Sequence, residues 1–143
     1  MRPFIICLIF LVLATGSCIA EELKDENQKL IGTCKDEAAV YFNSMDGKHE
    51  GVDKDGTTTI AKYKVHYNIK NKICFMLTSV NSFNDKKKIN NYSEELSDVN
   101  NKHLTGTFIY DMRAKRLILC TVGTSTCSSK VEFDRMVKPY MTQ

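Results

Sequence analysis

Cysteine is the residue type in this chain that could supply either a nucleophile or a crosslink. Four of the six cysteines lie after the first 20 residues, which we interpret below as an export leader. An even number in a small exported chain indicates two disulfides. Three pairings are possible, and we expect Cys34–Cys74 and Cys120–Cys127, because the six residues between the last two cysteines can bend back. Both disulfides together would leave no thiol to act as a nucleophile.

The other residues that could do chemistry follow no catalytic or metal-binding pattern. His49, His66 and His103 lack the spacing of a zinc site, so no metal or cofactor is predicted. A nucleophile elbow, a phosphate-binding loop and a paired-carboxylate motif are absent from the sequence, and no catalytic residue is predicted. One stretch nevertheless combines polar side chains suited to binding, and it supplies five candidates: Lys62, Lys64, His66, Tyr67 and Asn68.

The first 20 residues have the features of a secretory signal peptide. Arg2 gives a basic start, residues 4–13 are apolar but too few to span a bilayer, and small residues allow cleavage after Ala20. Residues 14–18 also resemble a loose bacterial lipobox, so a lipid anchor on Cys18 is the alternative. The first interpretation predicts a periplasmic or secreted protein, and the second predicts anchoring in the envelope. No later apolar run is long enough to be a transmembrane segment.

Length and charge predict one small domain without a strong electrostatic preference. The net charge of the whole chain is +3, and it falls by one when Arg2 leaves with the leader. This balance does not indicate nucleic acid as a partner. Residues 21–28 are charged and nearly without apolar residues, so we expect a polar arm over residues 21–33 that is either solvated or a frayed first helix. Residues 34–143 are then the disulfide-linked domain.

Two hairpins are predicted in the middle of the domain. The alternation of Tyr63, Val65 and Tyr67 indicates a half-buried strand over residues 59–67, and a nearly continuous apolar run indicates a second strand over 73–80. Asn and Lys residues between them predict a short hairpin loop. The second hairpin pairs residues 105–110 with residues 117–122. Residues 81–91 are predicted to be an exposed loop, and residues 92–101 fit either a helical turn or a strand.

Helices are expected on either side of these strands. Thr33 resembles the first residue of a capping box, and apolar side chains at helical spacing then predict a helix over residues 34–44. Ser128 or Ser129 can cap a final helix that has Glu132 in its first turn. The order of elements predicts an α+β fold, in which a four-stranded antiparallel sheet is covered by an N-terminal and a C-terminal helix and held by two disulfides.

Four patches of the sequence, in this order, resemble a group of small exported bacterial proteins of unknown function. The patches are Cys34-Lys-Asp-Glu-Ala38 with Tyr41-Phe42; His66-Tyr67-Asn68 with Asn71-Lys72 and Cys74-Phe75; Leu96-Ser-Asp98-Val99; and Cys120 followed by Cys127-Ser-Ser129, Glu132-Phe-Asp134 and Val137-Lys-Pro-Tyr140. The resemblance covers most of the chain after the leader. It implies export, a bacterial source and the two-disulfide frame, and it implies no activity.

We therefore carry three functional hypotheses. The first is a non-enzymatic exported protein that acts through surface contact with a protein partner of unknown identity. The second is an enzyme that uses His66 with a carboxylate, either Asp98 or Asp111. The third is a lipid or cell-surface binder that uses a lysine patch, formed by Lys62, Lys64 and residues 86–88.

Overall fold

The structure, a computed structural model, describes the backbone of residues 4–45 and 50–142 and the side chains of residues 24–45 and 50–142. The side chains of the predicted signal peptide, including Cys18, and those of residues 46–49, including His49, lie outside the described part. The chain divides into two compact units, residues 1–33 and residues 34–143. Among the described residues, no helix has an apolar stretch long enough to cross a membrane.

The described chain forms one antiparallel sheet and two helices. The strands lie across the sheet in the same order as along the chain, so each long strand pairs with the strands that precede and follow it. The elements are α1 (Phe4–Ser44), β1 (Gly51–Val52), β2 (Thr58–Asn68), β3 (Ile73–Asn84), β4 (Ile89–Asp98), β5 (His103–Asp111), β6 (Arg116–Val122), β7 (Ser125–Thr126) and α2 (Lys130–Met141). The antiparallel sheet, the two helices and both disulfides are confirmed, whereas the predicted number of four strands is wrong.

Three strands, β1, β4 and β7, were absent from the predicted sheet for identifiable reasons. The predicted loop over residues 81–91 is instead the end of β3, a tight turn at residues 85–88 and the start of β4. The ambiguous segment 92–101 is mainly strand: β4 continues to Asp98, and a turn follows. β1 and β7 contain two residues each, which is too short for an alternating pattern. The expected helix start at Cys34 is also wrong, because the Thr33 hydroxyl donates to the Lys29 carbonyl at 3.1 Å inside α1.

One turn design recurs between all the long strands. Each turn has four residues, and the Asn or Asp before it accepts the backbone N–H three residues later at 2.8–3.1 Å. These residues are Asn68, Asn84, Asp98 and Asp111. Each turn then ends in a lysine with φ between 52° and 58°, namely Lys72, Lys88, Lys102 and Lys115. The Asx side chain holds the turn closed, and the left-handed lysine redirects the chain into the next strand.

The sheet separates two hydrophobic cores. Successive side chains of a strand point to opposite faces, so neighbouring residues of β3 belong to different cores. Cys74 and Met76 pack with Cys34 and Ala38 of α1, whereas Phe75 packs with residues of α2. This arrangement explains the nearly continuous apolar run in β3, because both of its faces are covered. The part of α1 from Cys34 onward and α2 therefore lie on opposite faces of the sheet.

The C-terminal helix begins as the sequence predicts. Ser129 is the N-cap, and its hydroxyl accepts the Glu132 N–H at 3.2 Å. The Glu132 carboxylate accepts the N–H and the hydroxyl of Ser128, both at 2.9 Å, so side chain and backbone cap each other. These hydrogen bonds lower the pKa of Glu132. Fully buried Phe133 and nearly buried Val137 face the sheet from α2.

Both disulfides have the predicted pairing. Cys34–Cys74 joins α1 to β3 with Cα atoms 5.4 Å apart, and Cys120–Cys127 joins β6 to the segment before α2 with Cα atoms 5.0 Å apart. The sequence separations are 40 and 7 residues. In the chain-entropy account the longer loop gives the larger stabilisation, because closing it removes more freedom from the unfolded chain.

The two disulfides should therefore differ in their effect on stability. Replacing Cys34 and Cys74 together by alanine should lower the free energy of unfolding by about 4 kcal/mol, against about 2 kcal/mol for the Cys120 and Cys127 pair. Urea unfolding of the two double variants measures the difference. An equal or reversed order would contradict the assignment of the first disulfide as the main covalent restraint.

The left-handed lysines offer a second test of the fold. Replacing Lys88 by glycine should raise the free energy of unfolding by about 0.5–1 kcal/mol, because glycine adopts positive φ without the penalty that a Cβ atom brings. The matched control is Lys86→Gly in the same turn, which should be neutral or destabilising because Lys86 does not have positive φ. Thermal or urea unfolding of both variants measures the two changes in the free energy of unfolding.

Candidate functional site

Most of β2 is an open edge of the sheet. Thr58 and Thr59 pair with β1, and every residue of β2 pairs with β3. Within the described residues, no strand pairs with the outer side of residues 60–67. This is the longest edge that the described sheet presents, and it contains four of the five predicted binding residues.

The outward backbone groups of this edge belong to alternate residues. The Thr57 carbonyl accepts the Asp53 N–H at 2.9 Å on the β1 side, which fixes odd-numbered residues as the outward ones. The other end of β2 agrees: Cys74, opposite Tyr67, directs its carbonyl away from β2 to the Val99 N–H at 2.9 Å. The outward N–H and C=O groups are therefore those of Ala61, Tyr63, Val65 and Tyr67.

The predicted binding residues fall into exposed and buried sets. Lys62 and Lys64 are exposed and lie opposite Ser79 and Leu77 of β3, on the α2 face. His66 lies on the α2 face and is half-buried. Tyr67 is also half-buried, but it packs on the α1 face. Asn68 is buried: its amide donates to the Pro139 carbonyl at 3.3 Å, and its side-chain oxygen closes the following turn.

The carboxylates suggested as partners of His66 are engaged in turns. One oxygen of Asp98 accepts the N–H groups of Asn100 and Asn101, and the other accepts the Asn101 amide at 2.8 Å. Asp111 accepts two backbone N–H groups in the turn before β6. Both side chains thus have structural roles, and the described residues include no group of three or more potential metal ligands.

The lysines suggested as a membrane or surface patch are separated. Lys87 forms an ion pair with Asp55 at 2.6 Å, which ties the turn before β4 to the loop before β2. Lys88 occupies the left-handed position of that turn. Lys62 and Lys64 project from the middle of β2 instead. The two sets of lysines therefore belong to different parts of the sheet.

A pocket lies between the start of α2 and strands β4 to β6, apart from the open edge of β2. Its volume is about 360 Å³. Phe108 is buried in its wall and stacks against Tyr110, with ring centroids 6.4 Å apart and planes 5° apart. Tyr92 meets Phe108 edge-on at 6.3 Å. Met112 and Leu117 add aliphatic surface, so the interior is mainly aromatic and apolar.

A buried ionic cluster lies beside this pocket. The Tyr92 hydroxyl donates to the carboxylate of Glu94, whose side chain is only 7% exposed. Lys130, at the start of α2, lies 3.2 Å from the other oxygen of Glu94 and also pairs with Asp134. Burying a carboxylate requires such compensation, because an unpaired charge in the interior costs several kcal/mol.

The cluster shifts the proton affinities of its members. Burial, followed by the hydrogen bond to Glu94, raises the pKa of Tyr92 well above its ordinary value. Partial burial favours neutral Lys130, but the hydrogen bond to Asp134 and the proximity of Glu94 outweigh it and raise the pKa of Lys130. At neutral pH the phenol is therefore protonated and the ammonium is charged.

Sequence reasoning did not find this pocket. Its walls come from β4, β5, β6 and the start of α2, and β4 was not recognised with certainty. A weak signal was available: Tyr92 and Glu94 share one face of a strand, and Phe108 and Tyr110 share one face of another. Pairing these faces requires the register of β4 with β5, which places Glu94 opposite Phe108.

The raised pKa of Tyr92 predicts a specific pH dependence of stability. The folded protein holds the phenol proton more tightly than the unfolded chain, so this stabilisation is complete below pH 10 and declines as the pH rises above 10. Tyr92→Phe should therefore lose less stability than the wild type between pH 9 and pH 11 in urea unfolding. Equal slopes in the two proteins would contradict the buried hydrogen bond.

Comparisons with known proteins contribute no further constraint on this geometry. No family model matches the chain, no curated protein is significantly similar to it, and no solved structure matches its fold. The function must accordingly be inferred from the two surfaces described above, the open edge of β2 and the aromatic pocket.

Proposed function

We propose that this chain is an exported, non-enzymatic protein-interaction module of bacterial origin that binds a partner by strand addition. In this mode an extended segment of another protein pairs with the open edge of a sheet, and its backbone supplies most of the affinity. The observation behind the proposal is the outer side of β2 at Ala61, Tyr63, Val65 and Tyr67, with which no other strand of the described sheet pairs. The two disulfides support export, because such bonds persist in oxidising compartments.

The side chains of β2 define what the added strand should contain. Lys62 and Lys64 point to one face, and Tyr63 and Val65 point to the other. Tyr63 is 38% exposed, and its ring lies 4.6 Å from that of Phe42. A complementary segment therefore places acidic residues opposite the lysines and apolar residues opposite Tyr63 and Val65.

The same charges disfavour pairing between two copies of this chain. An antiparallel pair of β2 strands centred on Tyr63 would place Lys62 of one copy directly opposite Lys64 of the other. Like charges in directly opposed positions destabilise a sheet, and lysine on an edge is a common means of preventing self-association. An acidic segment of another protein avoids this repulsion. Its carboxylates also form opposite-charge pairs with the lysines, which stabilise the complex.

The proposal can be tested with a capped peptide in which glutamate alternates with valine. Binding should slow amide hydrogen exchange at the outward residues, Ala61, Tyr63, Val65 and Tyr67. The double variant Lys62→Glu/Lys64→Glu should weaken binding about tenfold, because two favourable cross-strand pairs become repulsive. Nuclear magnetic resonance of the oxidised protein measures both effects.

Two controls separate edge pairing from general electrostatic attraction. Lys70→Glu/Lys86→Glu changes the net charge equally at exposed positions outside β2 and should leave the affinity nearly unchanged. A peptide in which lysine replaces glutamate should not bind. Strand addition at β2 is refuted when both peptides bind equally, or when protection appears elsewhere in the sheet.

A further inference from the structure

The aromatic pocket supports a second inference, which is independent of strand addition. We propose that it is a binding site for a compact, uncharged aromatic molecule. The pocket volume of about 360 Å³ is at the lower end of the range for small-molecule sites. The proposal depends on two features of the walls: the arrangement of the aromatic rings, and the engagement of Tyr92, Ser128, Ser129 and Lys130 in contacts within the protein.

The rings of the pocket are arranged to accept a flat apolar ligand. Phe108 and Tyr110 are parallel neighbours on β5, and Tyr92 from β4 stands at a steep angle to Phe108. Phe108 is also fixed from behind by Phe133 of α2, whose ring centroid is 5.6 Å away. Aromatic rings prefer offset-stacked or edge-to-face contacts, and walls of both orientations allow a planar guest to make both.

Four polar side chains around the pocket already have partners within the protein. Ser128 donates to Glu132, and Ser129 accepts the Glu132 N–H as the N-cap. Tyr92 donates to Glu94, and Lys130 is shared between Glu94 and Asp134. A ligand that needed strong hydrogen bonds from these groups would have to break existing ones, and each buried group left without a partner would cost free energy.

The charges near the pocket argue against an anionic ligand in particular. Lys130 is the cation that lines the pocket, and two carboxylates, those of Glu94 and Asp134, are paired with it. An anion entering beside Lys130 would compete with both carboxylates and experience their repulsion. A cation would need a carboxylate that Lys130 already occupies. The structure therefore favours an uncharged guest.

A matched pair of fluorescent probes tests this inference. N-phenyl-1-naphthylamine is uncharged, and 1-anilinonaphthalene-8-sulfonate has nearly the same rings with a sulfonate added. The uncharged probe should bind the oxidised protein with increased fluorescence, and the sulfonate should bind at least about tenfold more weakly. Comparable binding of the two probes, or no binding of the uncharged one, would overturn the proposal.

Variants of two wall residues locate the binding site. Leu117→Gln and Met112→Gln each place a polar amide in the wall and should weaken binding of the uncharged probe about tenfold. The second substitution keeps the test valid if the first impairs folding, because Met112 is 49% exposed. Ile118→Gln is the matched control: Ile118 is next to Leu117 and 52% exposed, but it does not line the pocket. Equal effects of all three would indicate nonspecific adsorption and refute the site.

Discussion

The fold depends on the turn that recurs between its long strands. In a strand, a shift of one residue moves every side chain to the opposite face, so the register must be set accurately wherever both faces are buried. Here the register is set four times by an Asn or Asp side chain that closes the turn and a lysine in the left-handed conformation that ends it. A slip at one turn would exchange the contents of the two cores along the following strand. The local hydrogen bonds of the turns are therefore a condition for the packing of both helices.

β3 shows how this register connects the covalent and the hydrophobic restraints. Cys74 is bonded to α1 on one face, and its neighbour Phe75 packs against Tyr140 of α2 on the other, with ring centroids 5.1 Å apart. The Cys34–Cys74 disulfide therefore fixes α1 at the strand that α2 also covers. Asn68, at the preceding turn, adds a hydrogen bond to the Pro139 carbonyl near the end of α2. The turn, the disulfide and both helices thus meet within a few residues of one another.

Much of the fold could be predicted from the sequence, and the errors lie where the pattern of one element resembles that of another. Alternation identified β2, the apolar run identified β3, and serine followed by glutamate identified the start of α2. The start of β4 was missed because Asn84 and the lysines after it were interpreted as a loop, although Asn68 to Lys72 has the same pattern and was predicted to be a hairpin. Glycine usually occupies the left-handed position, so lysine there gave no turn signal. The pocket could not be predicted because it required the register of β4 with β5 and the position of α2 beside these strands.

The two candidate surfaces are separated by the order of the strands. A segment added to β2 extends the sheet outward, away from β3, whereas the pocket is formed by β4, β5 and β6 together with the start of α2. Helix α2 is the element that contacts both regions, because Lys130 lines the pocket at one end and the Pro139 carbonyl binds Asn68 at the other. A mutual cap holds its first turn, and Phe133 and Val137 anchor its middle. Helix α2 and the intervening strand β3 connect the two surfaces, and both elements are tightly packed. The geometry therefore favours surfaces that act independently of each other.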